Sequence, residues 1–293
     1  MGFLFNRGKS VPKPDPTAIG AALCRVLEQG ETESQRLFRD PFVRVLLGPY
    51  AGAARGLGTT DMLRGQIDGV APGLYGSQVC RTRHIDDALL DTLRKRFAQV
   101  AIVGAGYDTR AYRLAGIDKA RVVEFDLPAT LHHKRLAIEA RLGELPTHVT
   151  YAELDLESPS AITAFTDAGI VATEPTVVIC EGVTQYISAA AVDRLLAATA
   201  ALCTGSVIVF TYVLDSVLRD SDGIASASRQ LARGGPQWVF GLKKSDVPSL
   251  LRAAGLKLVE DVGADEYQDR YLAPIGRRLA VSPYERIVKA VVA

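Results

Sequence analysis

The chain has 293 residues, 48% hydrophobic and 23% charged, which suits an ordinary folded protein with a large core and excludes a disordered or fibrous one. Its 34 basic and 33 acidic residues leave a net charge of +1, with no electrostatic footprint for nucleic acid or an anionic membrane surface. Cys24, Cys80, Cys180 and Cys203 lack metal or redox spacing, and no run approaches the ~18 apolar residues of a membrane span.

The first residues, MGFLFNRGK, carry too short an apolar patch for a signal peptide, and Asn6 breaks the myristoylation pattern, so a cytoplasmic protein is expected. Residues 1–16, with Pro12, Pro14 and Pro16, read as a flexible arm. From Thr17 to about Leu47 the spacing predicts helix, with Ile19, Leu23, Val26 and Leu27 on one face. A glycine-rich connection over 48–62 follows, then a helix from Ile85 to Phe97 carrying Ile85, Leu89, Leu93 and Phe97. Residues 17–84 are thus expected to form a helical cap on an α/β core spanning 85–293, the two making one domain.

Val100 to Val103 is an uncharged apolar run, the pattern of a strand buried on both faces. Gly104-Ala105-Gly106 turns the chain, Asp108 and Thr109 are helix N-cap types, and Arg121 to Phe125 is a second strand delivering Glu124 and Asp126. Strand, glycine turn, helix, strand and acid make the sequence form of a nucleotide-binding βαβ unit. A helix opens at Pro128 and runs to about Leu145; Val149 to Leu156 is a third strand ending near Asp155, with a helix near 161–168. Thr176 to Cys180 is a fourth strand ending at Glu181, and Ser188 caps a helix to Cys203. Ser206 to Val213 is a fifth strand. Residues 215–237, extended to 240 by Trp238-Val239-Phe240, are a candidate substrate lid; a helix over Lys243–Ala254 and strands at Leu256–Val262 and Arg286–Val292 complete a seven-stranded doubly wound sheet.

Glu124/Asp126, Asp155 and Glu181 fall at the carboxyl ends of successive strands, where ligands sit in open α/β sheets. A nicotinamide dinucleotide calls for glycine where Thr109 stands, and Asp108 puts negative charge where its pyrophosphate belongs. S-adenosyl-L-methionine has no phosphate and carries a sulfonium and an ammonium, so this charge pattern favours it over NAD and an oxidoreductase. No metal-ligand cluster is present.

The strings VGAGYDTRAYRL, VVEFDLP, ELDL and EGVTQYI, with RTRHIDDALL upstream, together resemble the leucine carboxyl methyltransferase family, which includes bacterial polyketide and small-molecule O-methyltransferases. The resemblance covers Thr17 to the C-terminus and is most specific over 81–187. It implies a Rossmann-like class I methyltransferase fold, with Arg81 and Arg25 holding the methionine carboxylate of S-adenosylmethionine. It further implies backbone access at Gly104 and Gly106, ribose binding by Asp126, an adenine frame from Asp155 and Leu156, and Glu181 under the amino-acid end. The expected reaction is methyl transfer to an oxygen of a small molecule, with a carboxylate favoured because it is already ionised at pH 7 and needs no base. Methylation of a protein C-terminal carboxylate is the alternative within the family.

No catalytic residue stands out. His84, Tyr186 and Tyr212 are candidates for the acceptor pocket, although both tyrosines could equally be packing residues. His132 and His133, beside Lys134 and Arg135, read as a solvated helix face, and His148 as exposed.

Overall fold

The computed structural model describes residues 16–48, 60–219 and 237–293. The expected arm at 1–16, apart from Pro16, and most of the expected lid at 215–240 lie outside them.

Seven strands form one sheet: β1 (Gln99–Val103), β2 (Arg121–Asp126), β3 (Val149–Glu153), β4 (Thr176–Cys180), β5 (Val207–Val213), β6 (Leu256–Val262) and β7 (Glu285–Val292), in the order β3-β2-β1-β4-β5-β7-β6. β3, β2, β1, β4 and β5 run parallel to one another, whereas β7 runs antiparallel between β5 and β6. β1, β4 and β5 are buried along their whole length, which is why they read as uninterrupted apolar runs. Alternate residues serve opposite faces: Val100 and Ile102 pack with Val79, Ile85 and Leu89, while Ala101 and Val103 pack with Leu195, Leu196 and Phe165.

The expected long helix over 17–47 is instead two helices, α1 (Pro16–Glu28) and α2 (Val43–Leu47), with turns between them. Asp40 makes the break: its Oδ1 accepts the Phe42 and Val43 N–H groups at 3.2 and 3.0 Å and starts α2. After α3 (Thr60–Val70), α4 covers Leu74–Arg94, so the helix expected from Ile85 begins eleven residues earlier. Gly76, Ser77, Gln78 and Arg81 broke the apolar pattern, yet all four are buried in α4. Gly76 lets the helix approach the Ala280 carbonyl and the Val281 side chain, in the chain that leads into β7.

The helix after β1 is a single turn, α5 (Arg110–Arg113). α6 (Pro128–Leu142) follows β2, a 3₁₀ turn at Pro159–Ile162 and the short α7 (Ala164–Asp167) follow β3, and α8 (Ala189–Ala200) follows β4. Ser188 Oγ accepts the Ala191 N–H at 3.2 Å, the expected cap of α8. β3 ends at Glu153, which leaves Asp155 in the loop beyond it. The irregular link between β6 and β7 holds helical turns over 264–275 and then a strap without regular structure to Tyr284.

Candidate functional site

Gly104 follows β1 with φ +65°, and a Cβ there would lie 2.2 Å from Val183 Cγ2, so the turn requires glycine for backbone and space alike. The Gly106 N–H donates to Asp126 Oδ2 at 2.6 Å and the Leu127 N–H to Oδ1 at 2.7 Å. The glycine turn and the last residue of β2 therefore hold each other. Burial pushes the Asp126 carboxyl upward, and the two N–H bonds offset only part of that.

Asp108 does not stand as an open negative charge. Its Oδ1 accepts the Arg110 N–H at 2.7 Å and its Oδ2 pairs with Arg110 Nη1 at 2.5 Å. Burial opposes its ionisation, but Arg110 and Lys134 outweigh that and keep its carboxyl below the usual range. Thr109 is buried where a dinucleotide fingerprint has glycine; its hydroxyl donates to Asp40 Oδ2 at 2.7 Å and accepts from Arg113 Nε at 3.0 Å.

Arg110 also binds Asp86 Oδ1 at 2.7 Å and Glu181 Oε2 at 2.6 Å. Arg81, on α4, donates from Nε to Glu181 Oε1 at 2.7 Å, from Nη2 to Gln78 Oε1 at 2.7 Å, and from Nη1 to Glu285 at the start of β7. Burial works against the charge on Glu181, yet Arg110 and Arg81 hold its carboxyl far below the ordinary range. Arg25 pairs with Asp40 at 2.9 Å and donates to the Tyr107 carbonyl at 2.5 Å. A connected ion-pair network thus underlies the carboxyl edge of the sheet.

Above it lies a cavity of about 580 Å³, the size of a small-molecule or cofactor site. Arg25, Arg81, Gly104, Gly106, Asp126, Asp155, Leu156, Glu181 and Tyr186 all line it. It follows the sheet edge from Asp126 and Asp155 past Gly104 to Glu181, and on to Glu285, whose backbone is in register with Val213 at the end of β5. Among the described lining residues, three arginines (Arg25, Arg81, Arg110) face five carboxylates (Asp108, Asp126, Asp155, Glu181, Glu285).

Three sequence candidates are not among the cavity's lining residues. His84 is buried against the β6 side, with Nδ1 2.9 Å from the Tyr271 hydroxyl and Nε2 3.4 Å from Glu260. The Tyr212 hydroxyl donates to Asp261 of β6 at 2.8 Å. Glu124 is fully buried and pairs with Lys134 at 2.8 Å, so Lys134 belongs to the core rather than to a solvated helix face. Burial pushes the Glu124 carboxyl up to about 7 against the pull of Lys134. His133 packs on Tyr107 with ring centroids 5.4 Å apart, and His148 bonds the Ala111 carbonyl at 2.9 Å, so neither is the bare surface residue expected.

Gln78, Arg110, Tyr284 and Glu285 line the cavity although the sequence does not single them out, and Trp238, expected in the lid or in core packing, lines it too. Arg110 lies inside the quoted string VGAGYDTRAYRL and was legible in principle. Gln78 and Glu285 acquire meaning only through Arg81, which joins residues about 200 positions apart.

A parallel sheet with an antiparallel β7 inserted beside β5, and a glycine turn and acids at its carboxyl edge, defines the Rossmann-like class I methyltransferase fold. The crystal structure of a "putative methyltransferase" from Thermobifida fusca shares this fold, with TM-score 0.60 and 19% identity over 96% of this chain and 95% of that one. The leucine carboxyl methyltransferase model matches residues 18–200, and the chain belongs to that family. A "Putative S-adenosyl-L-methionine-dependent methyltransferase" of Mycobacterium tuberculosis is 32% identical over 195 residues, 64% of this chain and 60% of that protein. One of the same description from Mycobacterium avium is 29% identical over 277 residues, 89% of this chain and 87% of that protein. The chain thus spans about three fifths of the length of the first of these relatives and most of the second.

Proposed function

We propose that this chain is a single-domain, S-adenosylmethionine-dependent O-methyltransferase acting on a small molecule. The observation that carries this reading is the cavity's surplus of two carboxylates over arginines among its described lining residues. A sulfonium and an ammonium are attracted by that surplus, and a pyrophosphate is repelled by it. Family membership and the names of the mycobacterial relatives point the same way.

S-adenosylmethionine supplies an electrophilic methyl group on a positively charged sulfur. Gly104 and Gly106 would admit it close to the backbone, Asp126 would accept ribose hydrogen bonds, and Asp155 with Leu156 would frame adenine. Arg81 and Arg25 would meet the methionine carboxylate, and Glu181, kept ionised by its arginines, would lie beneath the amino-acid end. The chain's part in the rate is then positioning and exclusion of water. The four cysteines are free thiols, and among the described residues no helix is long and apolar enough to cross a membrane, in keeping with a cytoplasmic enzyme.

The test is transfer of a labelled methyl group from S-adenosylmethionine to a panel of small phenols, alcohols and carboxylic acids. Label appearing in an ester or ether supports the reading. Label confined to added protein C-termini would favour the other activity expected of the family.

A further inference from the structure

We propose that Glu285 is the general base of the reaction and that the accepting atom is a neutral hydroxyl, a phenol or an alcohol, rather than a carboxylate. This rests on the cofactor reading above.

Glu285 occupies the one place where β7 reaches the carboxyl edge of the parallel strands. That puts it beyond Glu181, at the opposite end of the cavity from Asp126 and Asp155. The cavity is also lined by apolar and aromatic side chains, among them Leu74, Trp238, Tyr284 and Tyr186, the last within reach of the Glu285 charge. These suit an aromatic or otherwise apolar acceptor. No described lysine or histidine lines the cavity, and each of its three arginines is already bonded to carboxylates. An anionic acceptor would meet Glu285 with no unspent cation to hold it. A hydroxyl acceptor meets the base it needs.

The groups facing Glu285 are Arg81 and Gln78 of α4, the latter with its Nε2 at 3.5 Å, and Tyr186 after β4. Tyr267, after β6, also feels its charge. Arg81 is the connection to the cofactor. Its Nε, Nη1 and Nη2 each give one bond, to Glu181, Glu285 and Gln78, which leaves two of the five guanidinium N–H donors for the methionine carboxylate. Arg81 holds Glu285 Oε1, and Oε2, 3.5 Å from Gln78 Nε2, is the oxygen that takes the acceptor's proton. The acceptor oxygen then forms a bond to the methyl carbon as the carbon–sulfur bond breaks. The bonding pair stays on sulfur, giving the neutral thioether of S-adenosylhomocysteine, and the hydroxyl proton passes to the Glu285 carboxylate and on to solvent.

Glu285→Gln and Glu285→Ala are tested with S-adenosylhomocysteine in calorimetry and with phenol, alcohol and carboxylic acid panels in turnover. The wild type is expected to methylate hydroxyl compounds. Glu285→Gln should bind S-adenosylhomocysteine within about threefold of the wild type while kcat falls about 100-fold or more, the usual contribution of a general base. KM should change little, and the acidic limb of the pH–kcat profile should disappear. Added formate should restore part of the turnover of Glu285→Ala, which a purely structural role for Glu285 would not allow. Preferred methylation of carboxylic acids, no hydroxyl compound turned over, unimpaired kcat in Glu285→Gln, or no formate rescue overturns the proposal. Failure of the wild type to bind S-adenosylhomocysteine sinks the underlying cofactor reading instead.

Discussion

Replacing Gly76 by alanine tests how closely α4 is docked to the strap that leads into β7. In a helix interior alanine is favoured over glycine by about 1 kcal/mol, so propensity alone makes the change stabilising. The structure reverses the sign. A methyl carbon at position 76 would lie 2.0 Å from the Ala280 carbonyl oxygen and 3.3 Å from Val281 Cγ2. Carbon–oxygen contacts close at about 3.3 Å, so helix and strap must part by about 1.3 Å. That movement strains the Ser282 N–H, which donates to Gly73 O at 3.0 Å and to Ser77 Oγ at 2.9 Å. Leaving this buried donor unpaired costs about 1–3 kcal/mol. Overpacking adds about 1–3 kcal/mol. The net expectation is a loss of about 3 kcal/mol. Gly65, exposed on α3 with nothing within 4 Å of its would-be Cβ, is the control, and Gly65→Ala should gain up to about 1 kcal/mol. Urea unfolding of both variants reads the difference. Equal stability of the two, or a stabilised Gly76→Ala, would refute the close docking.

Arg277 makes a bidentate pair with the fully buried Glu28, both bonds at 2.8 Å, and Tyr75 donates to the same carboxylate at 2.8 Å; Arg277→Ala should cost about 3–5 kcal/mol in urea unfolding. The Glu124 carboxyl is raised by burial from 4.5 to about 7 even with Lys134 beside it, so its favourable protonated contribution is present below pH 4.5 and is lost as pH rises through 7. Lys134→Met removes the ammonium that offsets this burial, so its stability deficit against wild type should grow between pH 5 and pH 8; a deficit independent of pH would contradict the pairing. Glu181 has the opposite sign: its depressed carboxyl contributes stability above 4.5 that is lost as pH falls below it, a dependence Glu181→Gln should abolish in acid unfolding curves. Asp126→Ala should weaken S-adenosylmethionine binding by about 1–3 kcal/mol, measured by calorimetry, as buried hydrogen-bonding groups lose a partner.

The nucleotide-binding half of the sheet was legible because β1, β2 and β4 are buried along most or all of their length and each runs into a glycine or an acid. Thr176–Cys180 and Leu256–Val262 match their expected limits residue for residue. α4 was misjudged because its N-terminal half turns polar residues inward: Gln78, Arg81 and His84 are buried there by partners distant in sequence. Lys134 reads as a surface residue because a helix of mixed charge gives no face; the readable clue is Glu124, an acid inside a buried strand that has to find a cation. Asp108, expected as an open charge opposing phosphate, is answered by Arg110, and the negative surplus belongs to the cavity as a whole rather than to that one residue.

If the cavity's surplus of carboxylates selects a cationic, phosphate-free cofactor, calorimetric titration of the purified chain gives a single saturable site for S-adenosylmethionine and, in a separate titration, no measurable binding of NADH. Saturable binding of NADH with none of S-adenosylmethionine would overturn that selection.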